Sequence, residues 1–124
     1  MSSNKNSVVF VDNILKECTR VHLERDKQYG DSFKNFTEIA EIASRIFQTV
    51  DLAFYNSLDI AIIMVAVKEA RYKYAVNHLT EITNGEKVIH DSLIDWITYI
   101  AIMENIRLRL QSLDKEVENG HSNT

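Results

Sequence analysis

The stretch that decides the fold is LDIAIIMVAV, which occupies residues 58–67 near the middle of a chain of 124 residues. At helical spacing it is apolar on nearly every side, with Asp59 as its one interruption. A helix without a polar face has to be covered all round by other elements. We therefore predict a buried third helix. Because three other helices cover it poorly along its length, we also predict a dimer with the third and fourth helices near the interface.

The segments on both sides have the same helical periodicity. The pattern predicts helices over residues 8–29, 32–50, 57–82 and 91–113, with Ile39 and Ile100 among the buried positions. Gly30 ends the first helix, since glycine tolerates the left-handed conformation that follows a helix. The polar segments 1–7 and 114–124 are predicted to be flexible. The expected fold is all-α: a four-helix bundle with long third and fourth helices, forming a single domain over residues 8–113.

Composition excludes several classes of protein. No proline and three glycines argue against turn-rich sandwiches and barrels, and a single cysteine, Cys18, excludes a disulfide scaffold or a cysteine zinc site. A formal net charge of −4 makes nucleic acid an improbable partner. The longest apolar run, residues 60–67, is far shorter than the roughly 20 residues that span a bilayer. We expect a cytoplasmic protein with no membrane partner.

The junction RDKQYGDSFKNF, residues 25–36, contains the first candidate site residues. Arg25, Asp31 and Asn35 are predicted to surround the mouth of a pocket, because an arginine beside a helix N-terminus favours bound anions. The structural alternative is that Tyr29 packs, Gly30 caps the first helix and Asp31 begins the second. Both interpretations remain open from the sequence.

Further charged residues lie on the predicted second and third helices. Lys68 and Arg71 are three residues apart, share a helical face and could together hold a phosphate. Asp59 lies about half a turn out of phase with Lys68, so it is on another side of the helix. Because an unpaired aspartate in an apolar helix is costly, Asp59 either caps the helix or is paired or metal-bound. Glu38 and Glu41 could share a divalent cation or belong to a solvated face.

The fourth helix brings acidic residues to one face. Asp91, Asp95 and Tyr99 are four residues apart and therefore stack on one side of the helix. If they face Lys68 and Arg71, they form either a buried salt-bridge network or a site for a metal and a phosphate. The sequence does not separate these two possibilities.

Residues 14–104 resemble a family of small bacteriophage domains that have no assigned activity. The pattern is R-x3-YGD, then NF-x2-IA, then D-x4-M-x3-K-x2-R, then D-x3-D-x3-Y. The residues that match it are Arg25, Tyr29, Gly30, Asp31, Asn35, Phe36, Ile39, Ala40, Asp59, Met64, Lys68, Arg71, Asp91, Asp95 and Tyr99.

The segment DSLIDWITYIAIME, residues 91–104, also looks like the second acidic helix of the MazG-like all-α NTP pyrophosphohydrolases. That resemblance implies a dimeric bundle in which four carboxylates bind Mg²⁺ and a nucleoside triphosphate is hydrolysed. Glu38, Glu41, Asp91 and Asp95 are the positions that could match. The chain departs from that family because the first acidic pair lies too far upstream, and because Lys68 and Arg71 stand where the family has glutamates.

Three functions follow as expectations. The first is a phage-type nucleotide-binding protein, with Mg²⁺-dependent pyrophosphohydrolase activity as one form of it. The second is a non-catalytic sponge for a nucleotide-derived host defence signal. The third is a structural phage accessory protein. The predicted catalytic residues are Asp91 and Asp95. The predicted ligand-binding residues are Arg25, Tyr29, Asn35, Lys68, Arg71 and Tyr99. The predicted metal ligands are Glu38, Glu41, Asp59, Asp91 and Asp95.

Overall fold

The computed structural model describes the backbone of residues 2–48 and 56–122, and the side chains of residues 10–46 and 56–117. Over these ranges the chain forms four helices and no β-strand: α1 (Ser2–Tyr29), α2 (Ser32–Gln48), α3 (Ser57–Asn77) and α4 (Gly85–Ser122). The prediction of an all-α, four-helix fold is confirmed. None of the described helices is long and apolar enough to cross a membrane.

Several helix ends differ from those predicted. α3 ends at Asn77, and α4 begins at Gly85 and runs for 38 residues, so the turn between them is earlier than expected. A Cβ at Gly85 would lie 2.5 Å from the backbone oxygen of Leu79, so this close approach requires glycine. Helix also extends into both polar terminal segments, while residues 1, 49–50 and 123–124 of the predicted segments lie outside the described residues.

α3 begins with a capping box. The Asn56 side chain accepts a hydrogen bond from the backbone N–H of Asp59, and the Asp59 carboxylate accepts one from the N–H of Asn56, both at 2.9 Å. These bonds satisfy two donors that a helix N-terminus leaves without partners. The structure thus places Asp59 in the cap of α3.

The α1–α2 junction turns at Gly30, whose φ of 79° lies in the left-handed region. The N–H of Gly30 bonds to the carbonyl of Asp26, and the Asp31 carboxylate accepts the N–H of Phe33 at 3.3 Å at the start of α2. Arg109 of α4 ties this junction to the bundle, since its guanidinium donates to both oxygens of Asp31 and lies 4.5 Å from the centroid of the Phe33 ring.

α4 is the central helix, against which both α1 and α3 pack. α1 runs parallel to it, since Cys18 contacts Ile94 and Arg25 contacts Tyr99. α3 runs antiparallel to it, since Lys68 lies over Tyr99 and Tyr72 contacts Trp96. α3 packs in turn against α2. The core cluster consists of Phe36, Ala40, Ile60, Ala61, Tyr99, Ile102 and Ile106.

Several predicted core positions are wrong. α3 was expected to be buried all round, but its Ile62 and Ile63 are 50% and 49% exposed. Ile39 is 37% exposed and Ile100 is 41% exposed, while Ile102 is buried. α4 presents Ile94, Ile102 and Ile106 to its neighbours, and Ile100 falls on a different side of the helix because successive residues are about 100° apart.

Candidate functional site

A cavity of about 510 Å³ lies between α1, α2, α3 and the middle of α4. We call it the Tyr99 pocket. Its polar lining comprises Glu24, Arg25, Gln28, Ser32, Asn35 and Lys68, together with the two tyrosines Tyr29 and Tyr99. Its apolar lining comprises Val21, Phe36, Ile39 and Met64. A concave space of this size with a few convergent polar groups is typical of a small-molecule site.

Tyr99 is the centre of the pocket and is 2% exposed. Arg25 donates a hydrogen bond to its hydroxyl, and the guanidinium carbon lies 4.5 Å from the ring centroid. Lys68 Nζ lies 4.9 Å from the same centroid, and the Phe36 ring stacks on Tyr99 at 6.2 Å. Cations over aromatic rings are stabilised by the ring quadrupole. The ring therefore holds two positive charges close together.

Lys68 is largely buried, and among the described residues its ion-pair partner is Asp95, whose Oδ2 lies 3.7 Å from Nζ. Burial lowers the pKa of Lys68; the Asp95 carboxylate opposes this effect, and the charges on Arg71 and Arg25 lower the pKa further. The net direction is downward, so the surroundings do not fully compensate the ammonium. The pocket has an excess of positive charge.

Tyr99 remains a neutral phenol over an extended pH range. Burial raises the pKa of its hydroxyl, and the nearby Asp95 charge acts in the same direction, while Arg25 opposes both. In the hydrogen bond between Arg25 and Tyr99, the guanidinium donates and the phenol oxygen accepts, so the hydroxyl hydrogen of Tyr99 is not used in that bond. Tyr99 can therefore donate this proton to a ligand.

The structure brings five of the six predicted ligand-binding residues to one cavity. Arg25, Tyr29, Asn35, Lys68 and Tyr99 all line the Tyr99 pocket, although they come from all four helices. Tyr29 is well exposed and borders the mouth, whereas Tyr99 and Lys68 form the floor. The sixth predicted residue, Arg71, is exposed on α3 and lines a separate apolar groove.

The predicted metal ligands are dispersed. Asp91 is exposed and bonds to Lys87 at 2.9 Å, and Asp59 caps α3. Glu38 and Glu41 lie on the exposed face of α2. Among the described side chains, no three His, Cys, Asp or Glu residues lie close enough together to hold a metal ion.

Asp31 does not line the Tyr99 pocket, although it was predicted at a pocket mouth with Arg25. It bonds to Arg109 and borders a second cavity of about 420 Å³ between α1 and α4, which Cys18 and Thr98 also line. Burial acts to raise the pKa of Asp31. Hydrogen bonds from Arg109 and the Phe33 N–H, with the charges of Arg109 and Lys34, outweigh it, so the pKa lies below its usual value.

Sequence reasoning missed several wall residues. Val21 and Gln28 lie about one turn from Arg25 on α1, so helical spacing around Arg25 would have indicated them, whereas Glu24 directly precedes Arg25 and would not have been indicated by that spacing. No local pattern in the sequence indicates the contact between Asp31 and Arg109, because the two residues are 78 positions apart.

A family model described as a domain of unknown function, DUF6378, matches residues 13–107. The chain belongs to the DUF6378 family. All residues that line the Tyr99 pocket lie inside the DUF6378 domain, and Arg109 lies just beyond it. No curated protein and no solved structure matches the chain.

Proposed function

We propose that this DUF6378 protein binds a small, phosphate-bearing, nucleotide-like molecule in the Tyr99 pocket and does not hydrolyse it. The observation that carries the proposal is the convergence of Arg25 and Lys68 on Tyr99 in a largely buried setting. Charged side chains are rarely buried without close partners, since desolvation is costly. A bound anion would supply the missing compensation.

The charge balance favours an anion with more than one negative charge. Arg25 forms no ion pair within the described part of the chain, Lys68 has Asp95 at 3.7 Å, and Arg71 lies near enough to lower the pKa of Lys68. Asp95 is thus the carboxylate that compensates Lys68, while the other carboxylate of the lining, Glu24, pairs with Arg20. A phosphate group matches this excess, with Arg25 as a fork of donors and Lys68 as a point charge.

The remaining lining suits the rest of a nucleotide. Tyr29 offers an exposed aromatic ring at the mouth, and a base can stack on such a ring. Asn35 and Gln28 offer amide donors and acceptors beside it, which are the groups that pair with the polar edge of a base. A volume of about 510 Å³ is within the range of small-molecule sites.

The placement of the carboxylates supports binding over hydrolysis. Two-metal or carboxylate-rich hydrolytic sites need several oxygen ligands around one point, and the described carboxylates do not form such a group. We propose that any Mg²⁺ enters with the phosphates of the ligand, since Mg²⁺ commonly uses one or two carboxylates plus substrate oxygens.

A protein that binds a nucleotide without turnover can act as a sink for it. The resemblance to bacteriophage domains supports the sponge among the functions expected from the sequence, with a nucleotide-derived defence signal as the ligand. The phage origin, the MazG-like relationship and the homodimer remain predictions. A purely structural role, in which Arg25, Tyr99, Lys68 and Asp95 form a buried network, is the alternative that the experiment must separate.

The test is calorimetric titration and thermal shift of the full chain with a defined panel. The panel contains inorganic phosphate, nucleoside mono-, di- and triphosphates, cyclic mono- and dinucleotides and a nucleoside without phosphate, each with and without Mg²⁺. We expect binding by phosphate-bearing members, no binding by the nucleoside, and unchanged ligand after incubation. Product formation would instead favour the pyrophosphohydrolase.

Matched variants locate the site. Lys68→Met and Arg25→Gln should each weaken binding by about tenfold or more, because each removes one charge-assisted contact with the anion. Lys73→Gln, on the exposed side of the same helix as Lys68, should bind as the wild type does. Absence of binding across the panel, or equal affinity in Lys68→Met, would leave the structural network as the explanation.

A further inference from the structure

α2 is apolar on two sides. One side, with Phe36 and Ala40, is buried in the core. The other presents Ile39, Ile42 and Ile46, which are three and four residues apart and form a continuous stripe at helical spacing. Their side chains are 37%, 42% and 61% exposed. A stripe of large apolar residues on one exposed helix face marks an interaction surface.

Two opposite charges border this isoleucine stripe along the same edge. Glu38 and Arg45 are seven residues apart, so they lie on the same side of α2 about two turns from each other. Both are exposed. Neither forms an ion pair with another side chain in the described part of the chain, unlike most exposed charged residues of α1.

We infer that a second copy of this chain packs on the stripe, with the two α2 helices antiparallel about a two-fold axis at Ile42. With such an axis, each residue of one α2 faces the residue of the other copy that lies about equally far from Ile42 in the opposite direction along the helix. The axis places Ile42 against Ile42 of the other copy and Ile39 against Ile46. It also places Glu38 opposite Arg45 twice, once on each side of the axis, because an isologous contact is made reciprocally.

The pattern of charges selects this occupant. An antiparallel two-fold arrangement brings the same edge of both helices together, running in opposite directions. The residues at one end of the edge must therefore attract the residues at its other end. The order Glu38–Ile42–Arg45 meets that requirement, since reversal exchanges the negative and the positive end. An unrelated partner would have no reason to match it. This interface differs from the predicted one on α3 and α4, and it is independent of the ligand proposal.

The interface also borders the ligand site. Ile39 belongs both to the stripe and to the lining of the Tyr99 pocket. A second copy on the stripe would therefore cover part of the pocket mouth and exclude water from it.

The first test is charge reversal, read by sedimentation velocity of the full chain at micromolar concentrations. We expect the wild type to be a dimer, and Glu38→Arg and Arg45→Glu each to weaken it by about tenfold or more, since each creates like-charge contacts on both sides of the axis. The double reversal should restore the dimer. Glu81→Arg, an exposed carboxylate between α3 and α4, should leave it intact. Circular dichroism confirms that each variant is folded.

The second test is cross-linking in a Cys18→Ser background. Ile42→Cys should form a disulfide-linked dimer under mild oxidation, because the residue on the axis meets its own copy. Ile62→Cys, which is similarly exposed on α3, should not. A monomeric wild type, a double reversal that does not restore the dimer, or cross-linking through position 62 but not 42 would each overturn the proposal.

Discussion

The ammonium of Lys68 lies 3.7 Å from Oδ2 of Asp95, and the two side chains differ strongly in exposure, at 8% and 38%. The cation is thus buried while its counter-ion remains partly in water. Water screens the carboxylate and weakens its compensation of the lysine. This asymmetry leaves the floor of the Tyr99 pocket positively charged and accounts for the downward shift of the Lys68 pKa.

Replacing Asp95 separates an anion-binding pocket from a metal site. We expect Asp95→Asn to bind the phosphate-bearing ligand about three- to tenfold more tightly, because a negative charge next to the bound anion is removed. Calorimetric titration without added metal measures the change. If Asp95 were a metal ligand needed for binding or hydrolysis, the same substitution would abolish that function. Asp91→Asn, on an exposed residue paired with Lys87, is the matched control and should have no effect.

Replacing Lys68 should stabilise the free protein. Lys68→Met keeps most of the apolar length of the side chain and removes a poorly compensated buried charge. We expect the free energy of unfolding to rise by about 1 kcal/mol at pH 7. Since the folded pKa of Lys68 is lowered, the folded state releases the proton first, and wild-type stability rises as the pH passes the folded pKa towards 10.5. The gain of the variant should therefore shrink at alkaline pH. Urea unfolding at several pH values tests this, and a gain that grows with pH would contradict it.

The Asp31–Arg109 contact should make stability depend on acidity. Asp31→Asn keeps the helix cap but loses the ion pair, and we expect a loss of about 0.5–1 kcal/mol at neutral pH. Because the folded pKa of Asp31 lies below its usual value of 3.8, this contribution to stability is present above pH 3.8 and is lost as the pH falls through the folded pKa. Thermal unfolding of both proteins should converge in strong acid. A difference that persists there would show that the charge is not the cause.

The turn at Gly30 depends on backbone conformation alone. An added Cβ meets no atom within 4 Å, but φ is 79°. Gly30→Ala should therefore cost about 1 kcal/mol through strain in the left-handed region, without a steric clash. Gly30→Asn should cost less, because asparagine adopts this conformation more readily than alanine. Denaturant unfolding measures both; equal losses would argue against the conformational explanation.

Local patterns in the sequence predicted the helices and part of the site. Periodicity places Lys68 on α3, and Asp95 and Tyr99 on one face of α4, and the structure brings all three together. Spacing alone could not decide whether Asp59 caps α3 or binds a metal, because both roles fit an aspartate at this position in the sequence. The position of the N–H groups at the start of α3 decides it. The packing of α1 against α4 through Arg25 likewise depends on contacts between residues 74 positions apart.

The sequence by itself determined that the chain is helical, that Gly30 separates two helices, and that Asp95 and Tyr99 share one face of α4. These features depend on residues within a few positions of one another along the chain. Only the tertiary structure decided which side chains of different helices meet. It joined Arg25 and Lys68 across the ring of Tyr99, kept the carboxylates apart, and left Ile42 on the surface. These outcomes depend on how four helices fill one volume, which no local pattern specifies.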